Sequence, residues 1–225
     1  MEIFTSIAIL LLAYVIGSTP FGLIIVKLKT GKDIRQVESG RTGGTNALRA
    51  AGFWAGLLTA VLDILKGAIA VWVARLLAPG LYFLHVLAPV AAIIGHNYSI
   101  FMPERDAQGR LVRLRGGAGG APSVGGAFGL WAPSFLIIFP LGALFFFTLG
   151  FASVTTMSVA FFAMILFAVR AWMGLNPWSY VLYGVLAEIL LVWSLRPNLK
   201  KLIEGNERVV RVSLHGLIKS RREAR

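Results

Sequence analysis

The sequence predicts an all-α integral membrane protein of about seven transmembrane helices, with the amino terminus outside and the carboxyl terminus cytoplasmic. Three observations carry that prediction. Of 225 residues, 57% are hydrophobic and only 14% charged, with a mean hydropathy of +0.76, whereas a soluble domain carries about 25% charge. The apolar residues also come in runs near the length of about 20 residues that a hydrocarbon core of ~30 Å requires. Finally, 19 of the 22 Lys and Arg residues fall in three stretches, with six in 27–52, four in 103–115 and nine in 196–225. Basic residues near span ends are retained on the cytoplasmic side, so all three stretches belong on that face.

The elements follow in order. Residues 3–26 are too long for a signal-peptide core and have no basic segment ahead of them, so they form a retained first helix. Residues 53–78 and 81–101 are the next two spans, separated by the uncharged turn Ala78-Pro79-Gly80 on the outer face. The region 121–170 is broken by Pro133, Pro140, Gly142 and Gly150; proline removes a backbone donor and divides such a stretch. Because residues 103–115 and the tail share one face, the chain between them crosses an even number of times. Four crossings fit: a short one near 118–131, then 134–149, 151–169 and 178–195. This places Gly150, Ser153, Thr155 and Thr156 beside the basic loops. The expected organisation is one helical membrane domain over 1–205, with cytoplasmic loops 27–52 and 103–117, and a basic cytoplasmic tail over 206–225.

Composition also excludes chemistry. The chain has no cysteine, so disulfides and thiol catalysis are absent. His85, His96 and His215 are too scattered for a metal site by spacing, and neither metal nor cofactor is expected. The basic loops have no soluble domain that would receive nucleic acid, so no nucleic-acid partner is expected.

Three loops carry chemistry. The first runs Ser39, Gly40, Gly43, Gly44, Thr45, Asn46, Arg49; the second reads Arg-Leu-Arg-Gly-Gly-Ala-Gly-Gly over 113–120; the third spans 196–207. Glycine lets a backbone approach an anion closely, and successive amides form an anion nest, so all three suit phosphate. Structural readings stand beside this one. Gly116 to Gly126 have an equally weighted role as packing surface. His96 has an equally weighted role bonding a backbone carbonyl. Asp63 and Lys66, three apart on one helix, are expected to pair and neutralise each other rather than do chemistry. Lys219, Arg221 and Arg222 in the tail read as topology signal and headgroup contact.

The run Gly17-Ser18-Thr19-Pro20-Phe21-Gly22, with Lys27, Gly31, Asp33-Ile34-Arg35, Ser39-Gly40, Thr45-Asn46 and Arg49, resembles the first signature of the acyl-phosphate-dependent (PlsY-type) glycerol-3-phosphate acyltransferases of bacterial membranes. Four further groups resemble the family's later signatures in collinear order, over about residues 14–207. They are Asp63, Lys66 and Gly67; Gly95-His96 with Arg115-Gly116-Gly117; Gly150, Ser153 and Thr156; and Arg196, Asn198, Leu202, Gly205 and Glu207.

The resemblance implies a seven-helix enzyme of the bacterial plasma membrane, its active site facing the cytoplasm. It implies transfer of a fatty acyl group from acyl phosphate to the 1-hydroxyl of glycerol 3-phosphate, giving lysophosphatidic acid and phosphate. Expected partners are those two substrates, the lipid bilayer and the enzyme that makes acyl phosphate. By position, Ser39, Arg49 and Ser153 are implied catalytic residues, and Thr45, Asn46, His96, Arg115, Gly116, Gly117, Gly119 and Asn198 implied substrate-binding residues. No Ser-His-Asp or Cys-His set is evident, so a substrate phosphate oxygen is the expected base.

Two positions depart from the family pattern. Ala118 stands where the family's glycine loop has lysine, and Leu195 where it has histidine. Arg105, Arg110 and Arg113, in the insertion 103–114, are candidates to replace the lysine. The departures also motivate a paralogue with a changed acceptor or lost activity. A lipid or phosphometabolite transporter is the third reading, motivated by the broken apolar segments.

Overall fold

The computed structural model describes residues 2–210 and 212–223. The first apolar run is two helices, α1 (Glu2–Ser18) and α2 (Phe21–Thr30), broken at Thr19-Pro20. Pro20 has no N–H to give back to the preceding turn. Three of the carbonyls at the break find donors: Ile16 O takes the Thr19 N–H at 3.2 Å, Ser18 O takes Ser99 Oγ at 2.5 Å, and Thr19 O takes Lys66 Nζ at 3.1 Å. The sequence expectation of one helix over 3–26 is corrected by this break.

After a loop come the short amphipathic α3 (Gly44–Ala51), α4 (Phe53–Leu77) and α5 (Tyr82–Asn97). α5 stops four residues short of the expected 101. The insertion folds as a short antiparallel hairpin of β1 (Pro103–Arg105) and β2 (Leu111–Leu114), a loop feature of an otherwise all-α architecture. Then follow α6 (Gly120–Leu130), a tight turn at 131–134, α7 (Phe135–Thr148), α8 (Ala152–Trp172) and α9 (Ser179–Ile203). The division of 121–170 into three pieces matches the expectation. α9 runs through Pro197, two turns beyond the expected end. Within the tail lies α10 (Leu214–Glu223).

Among the described residues, four helical stretches are long and apolar enough to cross a membrane: Ile3–Thr30, Phe53–Leu77, Ala152–Trp172 and Ser179–Ile203. Large apolar side chains such as Phe4, Leu76, Leu136 and Trp172 point outward, at 75–81% exposure, a surface suited to lipid and not to water. Inside, Val71, Val86, Ile93, Ile138, Phe167, Tyr183 and Leu191 form the main core between α4 and α9. Small residues let backbones touch. A Cβ on Gly125 would fall 1.8 Å from Ile64 O, so α6 lies directly on α4.

α6 has 11 residues and is about 16 Å long, half a bilayer. Its last carbonyls are therefore buried and need donors. Arg75 supplies them, with Nη1 3.0 Å from Gly129 O and Nη2 2.6 Å from Leu130 O, and its Nη2 also meets Tyr180 Oη at 2.8 Å. Arg170 stacks 3.7 Å over the Trp131 ring in the following turn. Lys66 pairs with Asp63 at 2.8 Å as expected. Each of the three cations lying within the apolar regions thus has a structural task.

Candidate active site

The first loop, the end of α5, the glycine loop and α9 meet in one place. The first loop leaves α2 at Gly31 and turns once over Ile34–Gln36, where Asp33 accepts the Arg35 N–H at 2.9 Å and its guanidinium at 2.7 Å. That pairing holds the Asp33 carboxyl below the usual carboxylate range. Asn46, in the first turn of α3, sits behind the loop. Its amide nitrogen lies 2.8 Å from Arg41 O, 3.0 Å from Val37 O and 3.3 Å from Ile34 O, so one side chain gathers three carbonyls.

The glycine loop, residues 116–119, rests on the end of α5. Gly117 N–H donates to His96 O at 2.8 Å, and Gly116 O accepts from Thr42 N–H at 3.3 Å. A Cβ on Gly117 would lie 2.0 Å from His96 Nε2, so the loop lies flat on the imidazole only because residue 117 has no side chain. His96 Nδ1 is 3.6 Å from Asp63 Oδ1. The floor of the site is thereby coupled, through Asp63 and Lys66, to the break in the first helix.

Arg41 ties the walls together. Its Nη1 reaches Gly117 O at 3.4 Å and Ser194 Oγ at 3.2 Å; its Nη2 reaches Ser194 O at 2.7 Å and Asn198 Oδ1 at 3.3 Å. Burial lowers its pKa from the ordinary guanidinium value, and an arginine there keeps its charge.

The sequence-predicted residues divide into groups. Gly116, Gly117 and Asn198 join the cluster through Arg41 and Thr42. Ser39 is exposed on the loop, its Oγ accepting the Arg41 N–H at 3.4 Å. Arg115 lines the same side: a Cβ on Gly40 would lie 3.2 Å from its Nη2. Gly119 opens α6 at φ 91°, a left-handed conformation that favours glycine. Asn46 and His96 are buried, at 3% and 5% exposure, behind the loops they support. Thr45 and Arg49 stand exposed on α3 and, among the described residues, make no bond into the cluster. Ser153 enters from the start of α8 and donates to Glu207 Oε2 at 2.6 Å. The tail lies across this side, Phe151 bridging Val209 and Arg208 pairing with Glu38 of the first loop.

The arginines of the insertion are occupied elsewhere. Arg113 pairs with Glu104 at 2.5 Å, Arg110 with Asp106 at 3.0 Å, and Arg105 donates to Gly109 O at 2.8 Å. Of these three candidates for the lysine charge, Arg110 and Arg113 have carboxylate partners within the hairpin, and Arg105 bonds there to a neutral oxygen. Sequence reasoning missed Arg41 and Ser194. Arg41 lies inside the segment already marked from Ser39 to Arg49, but only the fold shows which loop arginine turns inward.

The profile described as glycerol-3-phosphate acyltransferase matches residues 7–205. The chain belongs to the glycerol-3-phosphate acyltransferase family. A family member from Thermus thermophilus is 37% identical over 199 residues, covering 88% of this chain and 92% of that one. One from Rubrobacter xylanophilus is 34% identical over 203 residues, covering 90% and 94%. The crystal structure of PlsY, an integral membrane glycerol 3-phosphate acyltransferase, in its glycerol 3-phosphate form has a TM-score of 0.77 at 27% identity, covering 91% of this chain and 94% of that one. The lysophosphatidic acid form gives 0.75 at 25%, with the same coverage. The resemblance read from the signatures is borne out, and with its apolar helices the chain is an integral membrane protein of this family.

Proposed function

We propose that this family member transfers a fatty acyl group from acyl phosphate to the 1-hydroxyl of glycerol 3-phosphate, releasing lysophosphatidic acid and inorganic phosphate. The observation that carries the reading is the convergence of the first loop, the glycine loop and Asn198 around one half-buried guanidinium, in a chain of the acyltransferase family. Both substrates are anionic, and a cluster of fixed positive charge and backbone amides offsets their repulsion.

The donor is a mixed anhydride with a good leaving group, so positioning and electrostatic stabilisation supply most of the acceleration. The acceptor oxygen forms the new ester bond, the acyl carbon to phosphate oxygen bond breaks, and the hydroxyl proton passes to a substrate phosphate oxygen. Ser39, Arg49 and Ser153 are assigned to the reacting groups, and Thr45, Arg115, Gly116, Gly117, Gly119 and Asn198 to substrate contact. Asn46 and His96 hold those contacts in place.

The same reading gives seven membrane crossings, counting α1 with α2 as one and adding α4 to α9, with the amino terminus outside. It puts the loops 27–52 and 103–117 and the tail 206–225 on the cytoplasmic face of a bacterial plasma membrane. The enzyme that makes acyl phosphate is the expected donor-side partner.

The test is a product assay in lipid vesicles with palmitoyl phosphate and glycerol 3-phosphate, comparing wild type with Arg49→Ala. Lysophosphatidic acid formed by wild type and strongly reduced in Arg49→Ala supports the reading. Wild type that folds and makes no product, or that accumulates unchanged glycerol 3-phosphate inside the vesicles, refutes it.

A further inference from the structure

We propose that Arg41 is the fixed cation that receives the phosphate of the acyl donor, from the first loop and not from the glycine loop itself. The inference rests on the acyltransferase reading above and names the residue that binds the donor's charge.

The charges of the site are unequally matched. Arg35 is neutralised by Asp33, Arg113 and Arg115 share Glu104, Arg110 has Asp106, and Arg208 has Glu38. Arg41 is half-buried, and among the described residues it has no carboxylate partner and bonds only to neutral oxygens. A half-buried charge without a counter-ion is costly, so an anion arriving beside it is favoured by more than one arriving at an arginine already paired with a carboxylate.

The bonds Arg41 makes leave room for such an anion. Only the contact to Ser194 O, at 2.7 Å, is short; those to Gly117 O, Ser194 Oγ and Asn198 Oδ1 are 3.2–3.4 Å, long for a charged donor. Its Nε has no acceptor among the described residues. One short bond anchors the head while the remaining donors can turn to phosphate oxygens.

A second observation lies on the other side of the glycine loop. Asn97 is 4% exposed, and neither its Nδ2 nor its Oδ1 has a hydrogen-bond partner among the described residues. A Cβ on Gly119 would sit 3.0 Å from its Oδ1. A buried amide left unsatisfied against the backbone of Gly119 marks a place where a polar group is received. Arg41 and Asn97 thus flank the glycine loop, and Ala118 between them brings no charge.

The experiment uses the analogue of palmitoyl phosphate in which a methylene replaces the bridging oxygen so that no transfer occurs. Binding of this methylene-bridged analogue, (2-oxoheptadecyl)phosphonate, to the full chain in lipid nanodiscs is measured by calorimetry, with thermal unfolding of each variant followed in parallel. Arg41→Ala is expected to weaken binding about tenfold to a hundredfold, and Arg41→Lys to retain part of the affinity. Arg41→Ala combined with Ala118→Lys restores at least tenfold of the loss, because the charge returns from the neighbouring loop. The KM for glycerol 3-phosphate is expected to change by less than about threefold.

Unchanged phosphonate binding in Arg41→Ala overturns the proposal. So does a loss that neither lysine variant recovers, or one in which the acceptor KM moves and donor binding does not. Wild type that binds the phosphonate in an Arg41-dependent way but makes no lysophosphatidic acid refutes the acyltransferase reading alone.

Discussion

Gly117→Ala tests the geometry of the glycine loop most directly. The new methyl would sit 2.0 Å from His96 Nε2, 2.6 Å from Cε1 and 2.8 Å from Cδ2, and ordinary contact begins near 3.4 Å. One partner must therefore retreat by about 1.5 Å. The ring has little freedom, being 5% exposed and held near Asp63, so the loop moves instead. That movement stretches the 2.8 Å bond from Gly117 N–H to His96 O, at a cost of about 0.5–1.5 kcal/mol, and carries Gly117 O away from Arg41. A displacement of about 1 Å in a positioned site costs on the order of 100-fold in rate. The assay is lysophosphatidic acid formation in vesicles, with Gly80→Ala as control, because a Cβ at Gly80 meets nothing within 4 Å. The expected result is a loss of about 100-fold in Gly117→Ala and wild-type activity in Gly80→Ala. Activity of a folded Gly117→Ala within threefold of wild type would refute the reasoning.

Three further outcomes are expected. Lys66→Met leaves Asp63 buried without its cation and lowers stability by about 3–5 kcal/mol, whereas Asp63→Leu with Lys66→Met recovers much of it; thermal unfolding in detergent separates the two. The Asp33 carboxyl has a folded pKa below its unfolded value because of Arg35. Its contribution is thus present above the unfolded value of about 3.9 and lost as pH falls through the lower folded value. A carboxyl NMR titration finds the midpoint below 3.9 in wild type and raised in Arg35→Ala. Because the chain has no cysteine, single cysteines at Pro79 and Gln108 report topology in inverted and right-side-out vesicles. An impermeant maleimide labels the first from outside and the second from inside, and labelling of both from one side overturns the crossing count.

Much of the architecture was legible because it follows from solvent. Long apolar runs separated by basic clusters have few arrangements in a bilayer, and the division of 121–170 came from its prolines and glycines. The interruption at Thr19-Pro20 was harder, since the run stays apolar across it and only a third helix's lysine reveals that the carbonyls are met there. The continuation of α9 through Pro197 was hidden because proline ordinarily signals an end; here Trp193 O takes the Arg196 guanidinium at 3.1 Å. At the site, the pairing of Asp63 with Lys66 followed from helical spacing. The inward turn of Arg41 did not, because loop direction depends on Asn46 gathering three carbonyls, a tertiary fact. The hairpin of the insertion was hidden for a similar reason: its arginines look free until Glu104 and Asp106 are folded against them.

The depth of the glycine loop bears on how a lipid-like donor is handled. His96 sets that loop level with Asp63, which lies ten residues into α4, about 15 Å along the helix from Phe53 and the outward-facing Trp54. An exposed tryptophan at the end of a span is suited to the headgroup level of a bilayer. In the proposed reaction a palmitoyl chain would therefore stay among its neighbours in the leaflet while its anhydride is engaged from above. Drawing the tail into water would cost about 0.8 kcal/mol for every methylene exposed. The recessed floor removes that cost and leaves only the small, soluble acceptor to travel.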